Sequence, residues 1–252
     1  MISILRRLRR SFLEQSQARK YLMYAVGEII LVVFGILIAL QINSWAVHQD
    51  NLKLEKSYLE ALRFELSDDI KFYTGVKDSL LNQKTYAQNI LYFFENPMAK
   101  IKDSISFIND FRNCSDGENL IRPQVTWKEL QSTGRLSLIR NKRLVKQLFE
   151  YYTILDQFAA DFNKFPMDQR YAYRKIQHAL FNSEEHIEFF EDWNQEQIPR
   201  QFIYTAIRSD PQLFDLTKSI LISSLVQSRY AQNTLDLATS LLQDIDREID
   251  DQ

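Results

Sequence analysis

The sequence predicts an all-α fold: one N-terminal transmembrane helix continuing into an extracytoplasmic antiparallel helical bundle whose first and last helices are long. Three observations predict it. Only five glycines and five prolines punctuate 252 residues. No run alternates apolar and polar residues between turn signals as a strand would. The stretch from Tyr21 to Ile42 carries one charge, Glu28, in 22 residues.

At ~1.5 Å rise per residue that stretch covers roughly 33 Å, enough to cross the hydrocarbon of a bilayer. A secretory signal is shorter in its apolar core and ends in a small-residue cleavage site, whereas this run ends Gln41-Ile42-Asn43-Ser44-Trp45, so it reads as an uncleaved anchor. A buried core helix rarely stays apolar this long. Residues 1–20 carry Arg6, Arg7, Arg9, Arg10, Arg19 and Lys20 against Glu14, a net of +5, and with the chain at −2 the remainder carries −7. The positive-inside bias therefore places residues 1–20 in the cytoplasm, 21–42 in the membrane and 43–252 outside it. Tyr21 and Tyr24 fit the inner headgroup level and Trp45 the outer one. Ile2, Leu5, Leu8 and Phe12 recur at helical spacing among the arginines. That pattern suits a basic amphipathic helix on an anionic leaflet; a disordered basic tail is the other reading.

Counted at 100° per residue, Glu28, Val32, Gly35 and Ala39 share one face of the span. Small residues let helix backbones approach closely in lipid, and an acid prefers that protected face, so the stripe is the expected seam for self-association. Glu28 lies about 10 Å in from Tyr21 at the standard rise. No second ionisable residue follows it in the span, so the reading is an oligomer-register group rather than a proton relay.

The stretch KYLMYAVGEIILVVFGILIALQINSW, residues 20–45, resembles the signature of a family of uncharacterised single-span bacterial membrane proteins. A second similar stretch is TWKELQSTGRLSLIRN, residues 126–141. Together they cover under a fifth of the chain. The resemblance implies a span followed by a mostly helical extracytoplasmic region, and supplies no catalytic residue.

Beyond the span a long helix, or stalk, is expected over residues 43–95, with Leu52, Leu59, Leu62, Leu66, Tyr73, Val76 and Leu80 in a seven-residue register that Glu55 and Asp69 interrupt. Pro97 ends it. A shorter helix from about Lys102 to Phe111 leads into a polar loop through Arg122. The main bundle, residues 126–252, opens with Thr126 capping a helix through Ser132, Glu129 completing a capping box and Gly134 closing it. Asn141 caps a helix to about Phe165, stopped by Pro166. Its face of Leu144, Leu148, Tyr151, Leu155, Phe158, Phe162 and Phe165 reads as core packing rather than an aromatic ligand cage. A helix from about Met167 to Leu180 precedes an aromatic and acidic segment, Glu184–Trp193. The last helix starts with Pro211 after Ser209 or Asp210 and reaches about Ile249. It buries Leu213, Leu216, Ile220, Leu237, Leu241 and Ile245. Its length makes it the natural antiparallel neighbour of the first, returning the C-terminus toward the membrane.

Catalytic and metal templates fail. His48, His178 and His186 lack ligand spacing, and no nucleophile elbow, phosphate loop or dinucleotide fingerprint occurs. Asp116-Gly117-Glu118 fails as a calcium loop because Arg112 and Cys114 would occupy the first and third ligand positions, so it reads as a turn whose Gly and Asp tolerate left-handed angles. Cys114 is the single cysteine, read as an unpaired surface thiol, with a link between two copies as the other option. No enzyme, cofactor or metal is expected, and the acidic remainder argues against nucleic acid. The expected partners are the lipid bilayer, a second copy of the chain and another envelope protein. A sensor-like domain binding a small ligand among the aromatics of Tyr151 to Trp193 is the alternative, and it requires a buried void of several hundred Å3 with polar handles.

Overall fold

The computed structural model describes residues 2–96, 104–117, 120–181 and 201–251. The side chains of residues 2–19 and of Tyr21, Ser104, Ile105, Asn163, Phe165, Gln201, Phe202 and Ile203 lie outside that description, as do Pro97, Glu118, His186 and the Glu184–Trp193 segment. All regular structure among the described residues is helical. It comprises α1 (Ile2–Glu95), α2 (Ser104–Asn113), α3 (Val125–Ser132), a 3-10 turn (Arg135–Leu138), α4 (Lys142–Asn163), α5 (Phe165–Leu180), α6 (Gln201–Ser209) and α7 (Pro211–Asp250). The chain divides into two units, Met1–Lys56 and Ser57–Gln252, and α1 contributes to both.

In the first unit α1 is apolar on all sides from Leu22 to Val47, and every large apolar side chain of that stretch is exposed. The sequence expectation of a helix over 21–42 stands as a structural fact. The helix already runs from Ile2, so the backbone of the basic segment belongs to the same element.

The second unit is a bundle, and side-chain pairs fix its directions. Arg63 meets Asp246 at 3.4 Å, Lys77 donates to Gln232 at 3.2 Å, Ser224 Oγ lies 2.7 Å from Gln83 Oε1, and the rings of Phe94 and Phe214 lie 5.4 Å apart. Numbers rise along α1 as they fall along α7, so the two helices are antiparallel over this whole length. Asn141 with Glu248 and Gln147 with Asp244, at 2.7 and 2.8 Å, make α4 antiparallel to α7 as well. The Phe107 ring lies 4.7 Å from that of Phe93, tilted by 57°, while Asp110 accepts from Asn89, which sets α2 antiparallel to α1.

Leu59, Leu62, Leu66, Tyr73, Val76 and Leu80 are buried as their spacing predicts. Glu55 and Asp69, expected to interrupt that stripe, are themselves buried. Asn141 caps α4 by accepting from the backbone of Arg143 and Leu144, and Asp210 caps α7 in the same way at Gln212 and Leu213. Pro166 sits in the first turn of α5, where its missing N–H is no loss.

Three local expectations are corrected. Thr126 does not cap α3: the cap position is Gln124, whose side chain donates to Asp156 at 2.8 Å instead of capping the helix, and the Thr126 N–H donates to Glu65 of α1 at 2.7 Å. A carboxylate from another helix has taken the donor that a capping box would satisfy. Leu237 is exposed, because the inner stripe of α7 passes instead through Thr217, Ser224, Gln227, Ser228, Thr234 and Ala238. The hydroxyls of this stripe are satisfied by carbonyls one turn back, Thr217 on Leu213 at 2.6 Å and Ser224 on Ile220 at 2.8 Å. Gly117 does not have a positive φ. A Cβ there would lie 3.0 Å from Met167 Sδ and 3.3 Å from Arg170 Cδ, so close approach rather than backbone angle explains the glycine. Gly134 does adopt a left-handed conformation, φ 69°, and ends α3 as expected.

Candidate functional site

The residues singled out on the span fall on one uninterrupted helix, which brings Glu28, Val32, Gly35 and Ala39 into a single stripe. All four are exposed, and beyond the adjoining residues and local helix backbone no atom of the chain comes within 4 Å of a Cβ built on Gly35. Tyr24 and Trp45 are exposed as well, at 80% and 65%. The side chain of Tyr21 lies outside the described residues, as do those of Ile2, Leu5, Leu8 and Phe12.

The bundle carries two polar layers that the sequence reading did not single out. In the first, Asp69 of α1 accepts from Tyr151 of α4 at 2.9 Å and from Arg122 at 3.1 Å. Burial nonetheless holds its carboxyl above the usual aspartate range, the two donors opposing it. One turn earlier Glu65 accepts from Tyr152 at 3.3 Å as well as from Thr126, and Trp127 stacks on the Tyr152 ring at 4.7 Å. Carboxylates on α1 thus tie down both α4 and the chain entering α3. An unsatisfied phenol or carboxylate at this depth costs more than the bond returns, so the layer fixes register.

The second layer surrounds Arg170 of α5, which is 1% exposed. Its Nε donates to the Asp116 carbonyl at 3.1 Å, and its Nη2 donates to the side-chain oxygens of Gln83 and Gln227. Gln83 also donates to the carbonyls of Cys114, at 2.9 Å, and Asp116. The guanidinium lies 5.2 Å from the Phe162 ring. Burial lowers its pKa to about 10, which leaves it charged at neutral pH. A signal was present: Gln83 continues the buried register of α1 after Val76 and Leu80, and Arg170 shares a helical face with Tyr173 and Gln177.

Cys114 is not a surface thiol. It is fully buried and free, and burial pushes its pKa up to about 12, so it is unreactive in the folded chain and out of reach of a second copy. His48 and His178 are exposed. Among the described residues no three potential metal ligands converge. The described part of the expected ligand region offers a half-open groove of about 480 Å3 between α4 and α7, lined by Ile154, Phe158, Asp161, Tyr230, Asn233 and Leu237. It is a surface feature and lacks the enclosure a sensor pocket requires.

Comparison of the chain with protein-family models, with curated proteins and with solved structures finds no match.

Proposed function

We propose that the chain is a membrane-anchored helical interaction module: α1 spans the bacterial inner membrane once, residues 1–20 remain cytoplasmic, and the bundle works in the periplasm. The observation that carries this reading is the uncovered apolar surface from Leu22 to Val47. A soluble monomer rarely exposes contiguous apolar patches beyond a few hundred Å2, and a helix apolar on every side is buried in protein or in lipid. The net +5 of residues 1–20 supports the orientation. The resemblance of residues 20–45 and 126–141 to single-span bacterial membrane proteins points the same way. In lipid, the stripe of Glu28, Val32, Gly35 and Ala39 is the seam through which copies associate, with Glu28 setting register on the protected face. The bundle then presents its surface to an envelope partner. Self-association is tested by crosslinking in native membranes. Gly35→Leu with Ala39→Leu should lower the crosslinked fraction several-fold by blocking backbone approach. Crosslinking unchanged from the parent chain would remove this seam.

A further inference from the structure

Among the described residues, the groups that meet the Arg170 guanidinium are all neutral: the amides of Gln83 and Gln227, the Asp116 carbonyl and the Phe162 ring. The Asp116 carboxylate turns away to Arg174, at 3.5 Å, and is exposed. Cys114, the neighbour that would supply a negative charge as a thiolate, stays protonated. A cation this deep is ordinarily paired, since removal from water is expensive without an opposite charge. Two donors at the same place are also unpartnered and buried, Arg170 Nη1 and Gln227 Nε2. They flank one hydrogen bond, Arg170 Nη2 to Gln227 Oε1 at 3.1 Å, so they belong to one locus between α5 and α7. A locus with one formal positive charge and two free NH2 groups matches an anionic acceptor, whereas a cation or a neutral donor would meet only hydrogens.

We propose that Arg170 and Gln227 form a binding site for a small monovalent anion, either a halide or the carboxylate head of a small acid. The segment Cys114–Gly117 is its cover. Gln83, Arg170 and Arg174 hold that segment by its carbonyls, Arg174 reaching Ser115 at 2.8 Å, while Asp116 and Gly117 face solvent. Gly117 lets this cover lie directly on Arg170 and Met167. The site goes beyond the anchoring reading and does not depend on it.

The test is thermal melting of the full chain in detergent, at constant ionic strength, with chloride or formate replacing bulky gluconate. Binding to the folded state alone should raise Tm saturably, by roughly 5 °C or more at a hundredfold excess over Kd. A rise with chloride only assigns a halide, and one with formate only assigns a carboxylate head. Gln227→Leu, which removes one donor and keeps the volume close, should weaken the response at least tenfold in concentration. Arg170→Gln should abolish it. Melting that follows ionic strength alone, or a response that Gln227→Leu leaves unchanged, overturns the proposal.

Discussion

Residues 22–47 and residues 57–95 belong to the same helix and use apolar side chains in opposite ways. In the first stretch they cover the whole circumference and face outward; Leu31 is 74% exposed. In the second they form one stripe, and Leu59, Leu62 and Leu66 have no exposed surface at all. Backbone hydrogen bonding is common to both, so what differs is the medium each surface requires. A stripe is matched by neighbouring helices, and a full apolar cylinder by lipid.

Leucine truncation sharpens this contrast most. Leu62→Ala should lower the unfolding free energy of the bundle by roughly 2–5 kcal/mol, through lost transfer and an unfilled cavity. Leu31→Ala, which removes the same atoms from the uncovered stretch, should change it by less than about 0.5 kcal/mol. Chemical denaturation of both variants in detergent measures the difference. Equal effects would mean that protein covers Leu31.

A smaller effect separates the two stretches by pH. The uncovered stretch holds one acid, Glu28, whereas the bundle buries Asp69 and Asp110, and desolvation raises the pKa of both above 3.8. A raised folded pKa means that the folded state holds the proton more tightly. The resulting stability is complete below the ordinary aspartate pKa and is lost as pH rises through the folded value. Asp110 accepts from Asn89 at 2.7 Å, and Asp110→Asn keeps an acceptor oxygen while removing the titration. Melting followed from pH 7 down to pH 4 should rise less steeply in Asp110→Asn than in the parent chain. Identical slopes would show that Asp110 titrates as it does when unfolded.

What was legible in the residues is what periodicity and caps encode. The apolar cylinder, the α1 register and the Asn141 and Asp210 caps follow from spacing that one helix carries alone, and the pairing of α1 with α7 from their comparable lengths. The polar layers were not legible, because each is assembled from distant positions. Asp69 reads as a flaw in a stripe until Tyr151 and Arg122 stand beside it, 82 and 53 residues away. Thr126 carries a capping signature, yet Glu65 of α1 takes its N–H. Cys114 sits in a polar sequence and is buried by chain from elsewhere. Leu237 misled for the converse reason, since the buried face of α7 runs through Thr234, Leu235, Ala238 and Leu241 and leaves Leu237 outside it.

The central claim is that the apolar cylinder lies in the membrane and leaves the bundle on the outer side of it. Protease added to intact spheroplasts tests it directly. The account predicts that the bundle is degraded while a membrane-retained N-terminal fragment containing residues 21–42 survives. A chain that stays full-length until the membrane is lysed, or that is released into the soluble fraction without detergent, would contradict it.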